Sequence, residues 1–75
     1  MDTINHEIFK HGCALLFHNG FNRYIVVIYY HRYVNGELFM YSRCEKFHHY
    51  NAYFMARLVY LEMREYLGTL VETIK

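Results

Sequence analysis

Asn35-Gly36 is the feature that most constrains this fold. The dipeptide stands between two long runs rich in Val, Ile, Tyr and Phe, in YIVVIYYHRYVNGELFMY, Tyr24 to Tyr41. Both central residues of a type I′ turn need positive φ, and Asn-Gly is the pair that tolerates this best. The segment therefore reads as one β-hairpin, with strands Arg23–Val34 and Glu37–Phe47. A two-residue loop also sets the register. Val34 lies opposite Glu37, Tyr30 opposite Tyr41, and Val26 opposite Glu45.

Side chains alternate along a strand, so the register sorts the hairpin into two faces. One carries Tyr24, Val26, Ile28, Tyr30, Arg32 and Val34 with Glu37, Phe39, Tyr41, Arg43, Glu45 and Phe47. The other carries Ile25, Val27, Tyr29, His31 and Tyr33 with Leu38, Met40, Ser42, Cys44 and Lys46. Burial of unpaired charge is costly. The first face has Arg43 and Glu45 near its middle, so the second is expected to be the core. The outer face would then be aromatic and charged, a composition enriched at protein contacts. Its candidate partner-binding residues are Tyr24, Tyr30, Arg32, Phe39, Tyr41, Arg43 and Phe47. Cross-strand aromatic pairing on a solvated sheet is the plainer account of the same residues.

Upstream, CALLFH (residues 13–18) reads as a strand ending at Asn19-Gly20. Its Ala14 and Leu16 are assigned to the core face, and Cys13, Leu15 and Phe17 to the outer face. Residues 2–12 read slightly better as a short helix than as a strand. Asp2 or Thr3 would cap it, Ile4 and Ile8 are four apart, and Gly12 suits a C-terminal cap.

From His48 or His49 to the end the pattern turns helical. Ala52, Met55, Ala56, Val59, Tyr60, Met63, Tyr66, Leu67, Leu70, Val71 and Ile74 form one stripe at helical spacing. Gly68 marks a bend or an early end. A second apolar stripe, Tyr50, Phe54, Leu58 and Leu61, lies on the polar side. It would be covered either by the N-terminal Ile4, Ile8 and Phe9, or by a second copy of the chain in a homodimer or another partner. The fold expected is a single α+β domain over residues 1–75: a three-stranded antiparallel meander, a long C-terminal helix packed on one face, and a short N-terminal helix.

Composition bounds the function. The 75 residues are 55% hydrophobic and 20% aromatic, which excludes a disordered chain, and the net charge of +1 gives no strong field for polyanions. The longest apolar run, Tyr24–Tyr30, is too short to span a bilayer. The first residues lack the basic-then-apolar pattern of a signal peptide. The two cysteines are read as reduced thiols of a cytoplasmic protein, on opposite sheet faces and unbridged.

Six histidines raise the question of metal, but C-x-x-C, H-E-x-x-H and helical His pairs are absent. Cys44 with His48 or His49 lacks a third group or an oxyanion site. No catalytic residue, metal site or cofactor is assigned. The reading is a small non-enzymatic protein-binding module, homodimeric, regulating or inhibiting a larger protein machine. A virus- or phage-encoded antagonist of a host enzyme or defence complex fits that description. The second reading is a single-stranded nucleic-acid binder, with bases stacked on Phe39 and Tyr41 and phosphates held by Arg32 and Arg43.

Overall fold

The Asn35-Gly36 hairpin organises the structure, a computed structural model describing residues 1–75. Strands β1 (Asp2–Phe9), β2 (Gly12–His18), β3 (Arg23–Val34) and β4 (Glu37–His48) are followed by helix α1 (Ala52–Arg64), a 3₁₀ turn at Glu65–Leu67, and a short strand β5 (Leu70–Thr73). All pairings are antiparallel, and the sheet order is β4-β3-β2-β1-β5. Asn35 and Gly36 both have positive φ, and the pairs Val34–Glu37, Tyr30–Tyr41 and Val26–Glu45 all form.

The architecture departs from the expected three-stranded sheet with a long C-terminal helix and a short N-terminal one. The sheet has five strands and the helix is short. The N-terminal segment is β1, not a helix. It pairs with β2 along nearly its whole length, with a bulge at Ile4. The C-terminal stretch does not continue the helix either. At Gly68, with φ of 86°, the chain turns back. The Lys10 N–H donates to the Thr69 carbonyl and the His11 N–H to that of Leu67, at 2.9 and 2.8 Å. Leu70–Thr73 then lies against β1 as the far edge strand, so Leu70, Val71 and Ile74 are exposed and do not extend the helix stripe.

The covered face of the sheet is the opposite of the one expected. Helix α1 packs on the face of Val26 and Ile28, which are buried with Ala14, Leu16 and Phe9 beneath Ala56, Tyr60, Met63 and Leu67. Two physical reasons account for the inversion. A 13-residue helix is about 20 Å long, while each 12-residue arm of the hairpin is about 40 Å. The helix therefore covers only the half holding Tyr24, Val26 and Ile28. Arg43 and Glu45 lie on the edge strand, where they pair with each other and keep contact with water, so their burial costs little.

The second reason is the turn after β2. Gly20, Phe21 and Asn22 form a three-residue loop, with Asn22 at φ 54° and the Asn19 N–H donating to the Arg23 carbonyl. This loop sets Ala14 opposite Ile28 and Leu16 opposite Val26. Cys13, Leu15 and Phe17 accordingly share the open face with Ile25 and Val27, rather than the face of Arg43 and Tyr41. Cys13 and Cys44 also share that open face. They sit on β2 and β4 with β3 between them, and both thiols are free.

Candidate protein-binding groove

Past Tyr30, β3 has no strand on its β2 side, and past Leu67 no helix covers it. The hairpin continues as a bare two-stranded arm, which makes the molecule 44 Å long against widths of 21 and 19 Å. Where arm and helix end meet lies a groove of about 850 Å³, lined mainly by Ile28, Tyr30, Arg32, Phe39, Tyr41 and Arg43 from the hairpin and by Met63, Tyr66 and Leu67 from the end of the helix. It continues the line along which α1 packs on β3. Nine of its eleven lining residues are hydrophobic, so its floor is apolar.

The hairpin's alternation places these residues together. Tyr30, Arg32, Phe39, Tyr41 and Arg43 are on one face in the observed register. They are five of the seven residues singled out as partner-binding. The other two, Tyr24 and Phe47, are half-buried against the helix-covered core, where Tyr24 meets Tyr53 edge-on at 5.3 Å. Phe39 and Tyr41 are each more than half exposed. Arg43 pairs with Glu45, whereas Arg32 has no ionic partner. The groove thus offers an apolar surface with one unspent guanidinium.

The second candidate surface, the helix stripe, is also bare. Tyr50, Phe54 and Leu58 are exposed and Leu61 is half-buried. The N-terminal segment does not cover them, because β1 lies within the sheet and its Phe9 joins the core. At 100° per residue Phe54, Leu58 and Leu61 project on the side of Arg64, which reaches toward β1, away from the groove, while Tyr50 lies in the turn before α1 and does not extend the helical stripe.

One buried polar cluster was not singled out from the sequence. Glu7 of β1 is 6% exposed and accepts hydrogen bonds from the Tyr60 hydroxyl and from Arg64, the latter at 3.1 Å. Burial first, and the bond to Glu7 second, push the Tyr60 hydroxyl's pKa well above the ordinary tyrosine value. The only cue available was Tyr60 and Arg64, four apart on the helix and able to reach one carboxylate. This cluster ties α1 to β1 and lies under the helix, with every buried polar side-chain atom satisfied. Burial also raises the Cys13 thiol, which makes it a poor nucleophile. No three His, Cys, Asp or Glu side chains converge as a metal site.

Compared with known protein families, curated proteins and solved structures, the chain matches none. No helix is long and apolar enough to cross a membrane.

Proposed function

We infer that this chain is a non-enzymatic protein-binding module that regulates or inhibits a larger protein. The observation that carries the reading is the groove. Five aromatic or guanidinium side chains set apart in the sequence line one apolar trough, and nothing in the chain covers it. Exposed aromatics and an unpaired Arg around an apolar floor are the composition of a binding hot spot. An isolated two-stranded arm is also marginally stable in water, so a ligand that packs along it stabilises it.

The segment best matched to the trough is an amphipathic helix carrying an acidic residue. It would extend the packing of α1 along β3, with its carboxylate on Arg32. Action in the cytoplasm, with both thiols reduced, belongs to this reading.

Affinity capture from cell extract, with the wild type and an Arg32→Ala/Phe39→Ser variant side by side, tests it. Proteins held by the wild type are expected to be lost from the variant while its circular dichroism stays unchanged. Identical capture by both proteins contradicts the reading. A single-stranded oligonucleotide titration at low salt separates the nucleic-acid alternative, which the near-neutral charge disfavours. Tight, salt-dependent binding there would favour that alternative instead.

A further inference from the structure

The two edges of the sheet are unlike. One is closed by the four-residue β5, while β4 presents twelve residues with no neighbour. A long open edge is a row of unpaired N–H and C=O groups, and proteins commonly blunt such an edge with proline, bulges or a covering loop. Here the chain has no Pro, and the β3–β4 register runs without a shift from Arg23–His48 to Val34–Glu37; only the charges of Glu37, Arg43, Glu45 and Lys46 guard the edge, and because they carry both signs a second copy can match them. The closing pair of a two-residue hairpin exchanges hydrogen bonds, so every second residue outward from Glu37 points its backbone groups at β3. Leu38, Met40, Ser42, Cys44, Lys46 and His48 therefore aim theirs at solvent.

We propose that β4 pairs with β4 of a second copy across a two-fold axis at Cys44, making one continuous ten-stranded sheet. This deepens the protein-binding reading by naming one partner, and it rests on that reading. Geometry restricts the choice of axis. Antiparallel pairing of identical edges requires a two-fold normal to the sheet. That operation keeps each face on its own side, so directly opposed residues are both odd or both even in number, and the axis runs between the two copies of one residue.

Charge then selects among the registers. An axis at Arg43 or Glu45 sets like charges face to face, and one at Tyr41 sets Glu37 against the partner's Glu45. An axis at Ser42 leaves Arg43, Glu45 and Lys46 opposite Tyr41, Phe39 and Leu38, with no counter-charge. Two registers match charges. The axis at Met40 pairs only residues 37–43. The axis at Cys44 pairs residues 40–48, a longer ladder.

With the axis at Cys44, Arg43 faces the partner's Glu45 on both sides of the axis. The Arg43–Glu45 pair of each chain thereby becomes an alternating group of four charges. Tyr41 faces the partner's Phe47 in a cross-strand aromatic pair. The five outward residues Met40, Ser42, Cys44, Lys46 and His48 exchange about ten backbone hydrogen bonds, two for each opposed pair. The helix stripe of Tyr50, Phe54, Leu58 and Leu61 has no part in this interface.

Sedimentation equilibrium and thiol crosslinking test the proposal on the full chain. The expected species at micromolar concentration is a dimer. Arg43→Glu is expected to raise its dissociation constant about tenfold or more by opposing like charges, and the exchange Arg43→Glu with Glu45→Arg is expected to restore it. Ser42→Pro removes an outward N–H and is expected to give a monomer with an unchanged circular dichroism spectrum. In a Cys13→Ser background, diamide should join two Cys44 thiols as a disulfide, its azo bond reduced to the hydrazine. Met40→Cys in the Cys13→Ser/Cys44→Ser background should not crosslink. A monomer at high micromolar concentration, an unrescued charge exchange, or crosslinking at position 40 in place of Cys44 overturns the proposal. A dimer that captures no protein through its groove contradicts the reading of the groove alone, and a monomer that does capture one contradicts the two-fold pairing alone.

Discussion

Leu15 and Leu16 are neighbours in the chain on opposite faces of β2, and together they test where the core lies. Leu16 is fully buried beneath the helix, whereas Leu15 is half-buried on the open face opposite Val27. Leu16→Ala removes three buried carbons, worth about 2.4 kcal/mol at about 0.8 kcal/mol each. The cavity left behind raises the loss to roughly 3–4 kcal/mol, inside the range of about 2–5 known for such changes. Leu15→Ala leaves a surface that water already reaches, and its cost should stay near about 1 kcal/mol. A chain this size is stabilised by about 4–11 kcal/mol in all, so Leu16→Ala removes a large part. Its melting temperature should fall by about 4–8 °C per kcal/mol. Urea unfolding followed by circular dichroism, at one fixed protein concentration, measures both variants. Equal losses, or a larger loss at Leu15, would place the core on the other face and refute the packing described here.

Further outcomes follow from the same structure. Glu7→Gln weakens the hydrogen bonds from the Tyr60 hydroxyl and Arg64 and should cost about 1–3 kcal/mol in urea unfolding; no loss would show that the cluster does not hold α1 to β1. The raised pKa of Tyr60 makes stability pH-dependent in a defined direction. The contribution is full below about pH 10, where the unfolded tyrosine keeps its proton. Above that it declines by up to about 1.4 kcal/mol per pH unit, because the unfolded chain releases a proton that the fold retains. Tyr60→Phe should flatten this alkaline slope, and an unchanged slope would contradict the assignment. Gly12→Ala should not fold, since φ is 151° and an added Cβ would strike the Tyr29 carbonyl oxygen; a native circular dichroism spectrum from this variant would show the β1–β2 turn to be built otherwise.

The hairpin was legible to the level of single residue pairs, because Asn35-Gly36 admits only one turn and one register. Part of the helix was legible too: Ala52, Ala56, Tyr60, Met63 and Leu67 are buried as their spacing indicates. The N-terminal strand was obscured by two local departures from alternation, the bulge at Ile4 and a charged Glu7 on the buried face. A buried carboxylate is satisfied only through Tyr60 and Arg64, more than fifty residues away, and no local pattern reports that. Strand β5 was hidden because Leu70 and Val71 suit a helix stripe as well as a sheet edge, and the choice is made by the positive φ of Gly68 together with the bonds of the Leu67 and Thr69 carbonyls to the β1–β2 turn. The sheet face was misjudged because Arg43 and Glu45 were counted as buried charge, whereas on the edge strand they pair with each other and keep contact with water although they lie opposite the buried Ile28 and Val26. The groove's residues were legible as a group, but that they border the helix end depends on where α1 stops.

The most direct test of the groove is a nuclear magnetic resonance map of a bound peptide. A displayed library of random peptides, panned against the folded protein, supplies the ligand. Its amide-shift footprint is expected to cover Tyr30, Arg32, Phe39, Tyr41 and Tyr66, and Arg32→Ala is expected to weaken binding. A footprint centred on Leu15, Phe17 and Val27 of the open face, or a library that yields no binder, would contradict the account.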